Sequence, residues 1–168
     1  MSDLATKDAL TSVRNKGGFD LYMRELQDKL DRGEVKDLAI GVFDCDDLKG
    51  INDRNGHDKG DEYLKAASGL ICRVFKRSSV FRIGGDEFAV LLVHEDYTKQ
   101  AELLDLFSQE CRNICACAEN EWNQVRVSVG IAIYDAKIDA TEYETAHRAD
   151  KLMYENKRSR KRGRQREI

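Results

Sequence analysis

Apolar residues recur at helical spacing in four stretches of the chain. Each stretch carries one apolar stripe and an opposite polar face, which is the pattern of an amphipathic helix that packs on a core. The first stripe consists of Phe19, Tyr22, Met23, Leu26 and Leu30. The predicted helices cover residues 8–30, 62–75, 97–118 and 141–158.

Strand patterns lie between these helices. Residues 38–43 form a continuous apolar run, which is typical of a strand buried on both faces, and the polar residues 44–47 follow directly. Residues 125–134 alternate, with valine or isoleucine at each odd position, and this predicts a strand with one face on the core. Residues 48–61 form a polar stretch with two glycines ahead of the second long helix.

Two short apolar runs, residues 80–83 and 88–93, flank a glycine pair at 84–85. This arrangement predicts a β-hairpin whose turn needs positive φ at the glycines. Asp86 and Glu87 follow the glycines, and two adjacent carboxylates repel one another and are poor strand formers. We therefore expect a cation at this turn, with an ordinary solvated acidic turn as the alternative.

The predicted elements follow one another as helix, βαββαβ and helix. This order predicts an α+β sandwich, with a split, mostly antiparallel central sheet and helices on one face. With 168 residues, 41% of them hydrophobic, the chain is long enough for one core and too short for two domains. We expect one domain over residues 1–158 and a basic C-terminal tail over residues 159–168.

Charge is distributed unevenly along the chain. The net charge is −3, but the residues from Lys157 onward include seven Lys or Arg and one acid. The acidic remainder does not favour a nucleic-acid footprint. We interpret the basic end as a frayed, solvated charge run, with contact to an anion, a membrane surface or RNA as the alternative.

Composition also predicts the compartment. No apolar run approaches the roughly 20 residues of a membrane span, and the polar N-terminus does not resemble a signal peptide. Five cysteines without C-x-x-C spacing favour reduced thiols in the cytoplasm. A metal site at Cys111, Cys115 and Cys117 is the alternative, although Cys111 and Cys115 share a helical face and free cysteine packs as a small hydrophobe.

Carboxylates mark the ends of two predicted strands. In a βαββαβ sheet the first strand and the hairpin are central neighbours, so Asp44 and Asp86 should lie side by side. With the backbone carbonyl of Cys45, they offer hard oxygen ligands to Mg²⁺, which usually completes its shell with phosphate and water. The residues therefore indicate phosphoryl or nucleotidyl transfer, with Lys49 placed to meet phosphate.

Six sequence blocks in order resemble the GGDEF family of diguanylate cyclases, and together they cover nearly the whole chain. The blocks are Asp8-Ala-Leu-Thr, Asp44-x-Asp46-x-x-Lys49-x-x-Asn52-Asp53, Gly56-His57-x-x-Gly60-Asp61, Gly84-Gly85-Asp86-Glu87-Phe88, Ser128-Val129-Gly130 and Ala149-Asp150-x-x-Met153-Tyr154-x-x-Lys157. One five-residue motif is weak, but six blocks in sequence are specific. The resemblance implies a palm-like sheet flanked by helices, of the nucleotidyl-cyclase type.

The resemblance also implies an activity, the condensation of two GTP into cyclic di-GMP with release of two pyrophosphates. It assigns catalysis to Asp44, Asp86 and Glu87. It assigns binding of Mg²⁺, or Mn²⁺ in its place, to the same three residues and Cys45. Glu87 would assist the metal or deprotonate the attacking 3′-hydroxyl.

Substrate binding is implied for a further group of residues. Asn52 and Asp61 would recognise guanine, because a carboxylate accepts hydrogen bonds from guanine N1-H and N2-H₂, whereas adenine presents an acceptor at N1. The other implied substrate-binding residues are Leu48, Lys49, Gly85, Lys157 and Lys161.

Each of these assignments has a structural alternative. Asp61 could cap a helix that begins at Glu62, and Asn52 could cap its own turn. Lys49 and Lys157 could be solvated surface residues. The histidine at position 57 is expected to brace a loop.

Partners also follow from the resemblance. Each site would hold one nucleotide, so catalysis requires two GTP-loaded protomers in a transient homodimer, and such domains usually carry a sensory or dimerising module. The alternative function is a silent module that binds GTP or another protein. No specific nucleic-acid partner is expected.

The chain departs from the family pattern at three places. The family's inhibitory product site is an Arg-x-x-Asp, and the matching residues here are Phe75 and Ser78, so we expect no feedback through that site. The usual Leu-Thr-Gly-Leu is replaced at residues 10–13. The usual Gly-Arg-Asn is Arg160-Lys161-Arg162 here, where Lys161 takes the place of a phosphate-binding arginine at a loss of bidentate geometry.

Overall fold

A four-stranded sheet forms the centre of the protein. The structure is a computed structural model that describes residues 3–166, with side chains for residues 5–163. The strands follow the order β2-β3-β1-β4, and each neighbouring pair is antiparallel. Their bounds are β1 Ala39–Cys45, β2 Ser79–Arg82, β3 Glu87–Leu92 and β4 Val127–Ile133. The predicted α+β fold with an antiparallel central sheet is confirmed.

Helices account for most of the remaining chain. They are α1 Asp3–Thr6, α2 Lys16–Asp31, α3 Leu48–Asn55, α4 His57–Val74, α5 His94–Thr98, α6 Gln100–Cys117 and α7 Glu142–Arg166. The start of α2 is fixed by its N-cap, because the Asn15 Oδ1 accepts a hydrogen bond of 2.9 Å from the Gly18 amide.

The polar stretch 48–61 is helical, which the apolar pattern did not indicate. It contains α3 and the first turn of α4, separated by Gly56 with a φ of 92°. Glycine adopts this positive φ without steric cost, so the chain can turn between two consecutive helices. In α3 only Ile51 is buried, and one buried residue leaves no stripe for a sequence pattern to detect.

Helices cover both faces of the sheet, so the expectation of helices on one face was wrong. On one face Phe43 of β1 and Val90 of β3 pack with residues of α4 and α6 in the larger core cluster. On the other face Ile40 packs with α2, and Val42 packs with α7. All seven residues of β1 are buried, which agrees with its continuous apolar run.

Strand β4 is also packed on both sides, and not on one face as its alternation suggested. Ser128, Gly130 and Ala132 are buried, whereas Ile133, at the end of the predicted apolar face, is 47% exposed. Helix α7 lies directly over Gly130, where an added Cβ would be 2.2 Å from the Ala149 carbonyl oxygen. A small residue on the "polar" face of β4 therefore allows close packing of helix and strand.

Helix α7 continues beyond the predicted end at residue 158, so the predicted boundary between domain and tail falls inside one helix. Arg160, which belongs to the predicted frayed tail, instead donates a hydrogen bond of 3.2 Å to the buried Asp46. Residues 167–168 of that tail lie outside the described residues. Of the helices in residues 3–166, none has the length and apolarity of a membrane span.

Gly130→Ala should destabilise the protein, because its Cβ would overlap backbone atoms of α7 that cannot move independently. Overpacking of this kind costs about 1–3 kcal/mol, and we expect a decrease of that size in the free energy of unfolding measured by urea titration. Gly69→Ala is the matched control, since its Cβ would approach only the end of the flexible Arg73 side chain, at 3.4 Å. Equal stability of the two variants would contradict the packing described for α7.

Candidate active site

The ends of β1 and β3 bring the predicted acidic residues together. Asp44 of β1 pairs with Glu87 of β3 in the antiparallel register. The Cys45 amide donates a hydrogen bond of 2.9 Å to the Asp86 carbonyl. Residues more than forty positions apart in sequence therefore lie next to one another, as the predicted topology required.

The turn before β3 differs from its prediction. The amides of Ile83 and Gly84 donate to the Glu87 carbonyl, at 2.9 and 3.3 Å, and close a four-residue loop between β2 and β3. Neither Gly84 nor Gly85 has a positive φ, so the prediction about the turn conformation was wrong. Gly85 is exposed, and a Cβ placed there would have no neighbour within 4 Å. Position 85 therefore faces open space, and a side chain there would extend over the turn.

An arginine connects this turn to the N-terminal segment. The Arg82 guanidinium donates a hydrogen bond of 2.7 Å to the Gly85 carbonyl and contacts the Asp8 carboxylate at 3.3 Å. Partial burial opposes ionisation of Asp8, but hydrogen bonds from Thr11 and the charge of Arg82 lower its pKa. The Asp8-Ala-Leu-Thr block thus has a structural role, since it holds the side chain that supports the acidic turn.

Electrostatics set this site apart from an ordinary surface turn. Burial and the nearby charge of Asp86 raise the pKa of Asp44 to about 6. Burial and the charges of Asp150 and Asp44 raise the pKa of Glu87, also to about 6. Asp150 projects from α7 and was not among the predicted site residues, although it lies in one of the sequence blocks. The carboxylates therefore favour the approach of a cation.

Two basic side chains of α7 reach the end of β1. The Lys157 ammonium donates a hydrogen bond of 3.2 Å to Asp44, so the alternative of a solvated surface lysine is wrong. Arg160 donates to Asp46 at 3.2 Å. Sequence analysis missed Arg160 as a site residue, because only the docking of α7 on the sheet shows which arginine of the basic end reaches inward.

A second group of predicted residues meets where α3 packs on α4. An added Cβ at Gly60 would lie 1.7 Å from the Asn52 Oδ1 and 3.3 Å from Leu48, so the glycine is needed for both side chains to fit. The Asn52 Oδ1 is buried and has no hydrogen-bond partner among the described residues, which excludes the proposed capping role for this oxygen. A buried acceptor without a partner is costly, and a ligand that donates a hydrogen bond would relieve that cost.

Asp61 follows Gly60 directly and lies near the same corner of the molecule. The alternative that Asp61 caps a helix beginning at Glu62 is wrong, because α4 already begins at His57. Asp61 therefore lies in the second turn of α4, directly after Gly60, and is partly exposed.

The remaining residues named in the sequence analysis differ in their exposure. Lys49 is exposed in the first turn of α3, and Lys161 is exposed one helical turn after Lys157. His57 is the exposed first residue of α4. At the positions of the family's inhibitory site, Phe75 is fully buried and Ser78 donates a 2.5 Å hydrogen bond to Asp96, so neither side chain is free for a ligand.

The acidic residues fit a divalent cation whose coordination shell is completed by groups from outside the protein. Among the described residues, no three His, Cys, Asp or Glu side chains converge as a complete protein metal site requires. Mg²⁺ does not need such a cage, because one or two carboxylates usually hold it while phosphate and water complete its shell. Asp44, Asp86 and the Cys45 carbonyl provide a partial oxygen set of this kind.

Comparison with known proteins agrees with this geometry. The family model described as "Diguanylate cyclase, GGDEF domain" matches residues 5–163. Diguanylate cyclase A of Treponema denticola is 28% identical over 160 residues, which are 94% of this chain and 43% of that protein. Diguanylate cyclase TpbB of Pseudomonas aeruginosa is 34% identical over 159 residues, which are 92% of this chain and 35% of that protein. The chain spans less than half the length of these relatives.

Solved structures show the same fold. The GGDEF domain of DgcB from Caulobacter crescentus, in complex with c-di-GMP, has a TM-score of 0.79 at 27% identity, covering 92% of this chain and 91% of that chain. The FimX GGDEF domain from Pseudomonas aeruginosa, at 20% identity and a TM-score of 0.78, covers 92% of this chain and 94% of that chain and shows likeness of fold alone. From the family match, the shared fold and the acidic turn beside the end of β1, we conclude that this chain belongs to the GGDEF domain family of diguanylate cyclases.

Proposed function

We propose that the protein is a diguanylate cyclase that condenses two GTP into cyclic di-GMP and two pyrophosphates with Mg²⁺, or Mn²⁺ in its place. The observation that carries this proposal is that Asp44 lies opposite Glu87 in the strand register and that the charge of Asp86 acts on both, so that burial and mutual repulsion favour a bound cation. Asp44, the Cys45 carbonyl, Asp86 and Glu87 would hold the metal. When bound, the metal would neutralise phosphate charge and orient the triphosphate.

The residues of the chain support the chemistry of the condensation. In each of two reciprocal steps, the 3′-oxygen of one nucleotide forms a bond to the α-phosphorus of the other and the bond from that phosphorus to a leaving pyrophosphate breaks, so that two pyrophosphates are released. The hydroxyl proton must go to a base, and Glu87 is suited to accept it because its pKa of about 6 lies near neutral pH. Lys157, Lys161 and Lys49 would balance the charge of the phosphates.

Guanine recognition is assigned to Asn52 and Asp61, with Leu48 packing beside the base. The Asn52 oxygen and the Asp61 carboxylate are acceptors, and guanine presents donors at N1 and N2 where adenine presents an acceptor at N1. The partnerless buried Asn52 oxygen supports this assignment. Gly85, which has no side chain at the exposed turn, would leave room for the ribose and phosphates.

Catalysis would take place in a transient homodimer, because each site holds one nucleotide and both α-phosphates must meet the opposing 3′-hydroxyls. A sensory or dimerising module in the full-length protein would bring the protomers together. One neighbouring structure combines a coiled coil with the GGDEF domain of DgcB. We place this activity in the cytoplasm, where GTP is available, and assign no nucleic-acid partner.

The alternative is a catalytically silent module that binds GTP or a protein partner. One relative is named for a different activity: cyclic di-GMP phosphodiesterase NbdA of Pseudomonas aeruginosa is 40% identical over 93 residues, which are 54% of this chain and 12% of that protein. The two proposals differ in one product, because only the cyclase converts GTP into a dinucleotide.

Incubation of the wild-type chain with GTP and Mg²⁺ should yield cyclic di-GMP, identified by mass spectrometry, and fusion to a dimeric coiled coil should increase the yield. Asp86→Ala should lower the rate about 100-fold or more, because the loss of a metal-holding carboxylate removes several kcal/mol of stabilisation. Asp37→Ala, an exposed acid before the other end of β1, is the matched control. If the dimerised wild type binds GTP but forms no dinucleotide, the silent module is the correct function.

Asn52→Ala and Asp61→Asn should each reduce the preference for GTP over ATP, because each removes an acceptor for guanine. The expected loss of discrimination is on the order of 10²-fold when a buried polar group is left without its partner. Calorimetric titration with both nucleotides measures this ratio, and Asp105→Asn on the exposed face of α6 provides the control. An unchanged ratio of GTP to ATP affinity in both variants would show that neither residue recognises the base.

Mg²⁺ should bind more strongly as the pH rises from about 5 to about 7.5. Asp44 and Glu87 both have a pKa of about 6, so at the lower pH the cation must displace protons, whereas at the higher pH both groups are ionised. Because both pKa values are raised, the ionised groups destabilise the fold as the pH rises through 6, and a cation relieves this effect.

The increase in Tm caused by Mg²⁺ should therefore be larger at the higher pH. Thermal unfolding with and without Mg²⁺ measures this difference. Asp44→Asn should abolish most of it, whereas Asp37→Asn should not. An increase in Tm that is the same at both pH values would show that these two carboxylates do not bind the cation.

A further inference from the structure

A second buried carboxylate at the end of β1 is not used in the proposed reaction. Asp46 is 2% exposed. One of its oxygens accepts a hydrogen bond of 2.7 Å from the Ser128 hydroxyl, and the other accepts one of 3.2 Å from the Arg160 Nε. A buried carboxylate needs such partners, because without them its charge is strongly destabilising. The side chain therefore has a fixed place between β4 and α7.

The arrangement of these groups aligns the helix with the strand. Asp44 lies near the end of β1 and Asp46 directly follows the strand, and both carboxylates contact side chains of α7. Lys157 and Arg160 are three residues apart on α7 and so lie on the same side of the helix. Lys157 meets Asp44 and Arg160 meets Asp46, each at 3.2 Å. Two cations of one helix are thus matched to two carboxylates at the end of β1, one in the strand and one just after it.

The end of α7 depends on polar contacts for its position. Met153 is fully buried, but every side chain from residue 154 to residue 163 is exposed or only partly buried. This part contacts the sheet through Asn156, which accepts a hydrogen bond of 2.9 Å from the Val129 amide, and through the ion pairs with Asp44 and Asp46. Of the two carboxylates, Asp46 is the more deeply buried and also accepts a hydrogen bond from Ser128, so the partner of Arg160 has a fixed position.

We propose that Arg160 is a positioning residue that holds the last turns of α7 against β1 and so keeps the Lys157 ammonium beside Asp44, where the triphosphate of GTP is proposed to bind. This inference rests on the proposed function, because it assigns Lys157 to the phosphates. In this proposal Arg160 contacts Asp46 rather than the nucleotide or the metal, and it acts through the helix that carries Lys157.

The consequence is a selective effect on phosphate binding. Arg160→Ala should weaken GTP binding in the presence of Mg²⁺ about tenfold, the size of effect seen when a supporting partner of a binding residue is lost. Binding of guanosine, which has no phosphates, should not change. Arg160→Lys should restore most of the affinity, because an ammonium can still pair with Asp46.

A double-mutant comparison separates positioning from general stability. Lys157→Ala should weaken GTP binding by a similar factor, and adding Arg160→Ala to it should cause little further loss, because both changes remove the same ammonium from the site. Calorimetry with GTP and NMR titration with guanosine give the affinities. Hydrogen exchange measured by mass spectrometry should be faster in residues 154–166 of the Arg160→Ala variant than in the same residues of the wild type.

Two further variants test for a nonspecific effect of charge loss and for a failure of Arg160→Ala to fold. Arg158→Ala removes an exposed arginine of the same helix and should change neither affinity nor exchange. If Arg160→Ala does not fold, the pair Asp46→Asn with Arg160→Gln removes both charges and leaves no buried carboxylate unpaired, and the same selective loss is expected.

Other results would overturn the proposal. An equal loss of GTP and guanosine binding, a full additive loss in the double mutant, or unchanged exchange in α7 would each show that Arg160 does not position Lys157. If the wild type fails to bind GTP at all, the proposed function itself is wrong. If the wild type binds GTP and Asp86→Ala abolishes product formation while Arg160→Ala has no effect, only the role of Arg160 is wrong.

Discussion

The pairing of β1 with β3 is the constraint on which the site depends. Its register places Asp44 opposite Glu87 and lets the Cys45 amide bond to the Asp86 carbonyl. A shift by one residue would turn these side chains to the opposite face of the sheet. The register is fixed because β1 and β3 are packed between helices on both faces, so that a shift would bury polar groups in either core layer.

Carboxylates that lie close together repel one another when they are ionised. A helix that is distant in sequence, α7, offsets part of this repulsion. Burial and repulsion raise the pKa of Asp44 even though Lys157 lies against it. The compensating charges come from α7, which can approach β4 closely because Gly130 has no side chain. The charge balance of the acidic site thus depends on the close packing of α7 against Gly130.

Much of the fold and of the site could be predicted from local sequence. The continuous apolar run of β1 predicted a strand buried on both faces, and the acidic residues after it and in the hairpin indicated a cation site. Other features could not be read in this way. Helix α3 buries only Ile51, so it left no apolar stripe, and the glycines of the hairpin turn gave a wrong expectation because an open turn and a positive φ both favour glycine.

The sequence by itself determined which elements form and which residue types end the strands, because hydrophobic period and turn composition are local properties. It also determined the family, since six blocks occur in order along the chain. Only the tertiary structure decided that both faces of the sheet are covered, that the Asn52 oxygen is buried without a partner, and that Arg160 rather than a neighbouring arginine meets Asp46. These features depend on how helices rotate and approach the sheet, which is set by contacts between residues far apart in the chain.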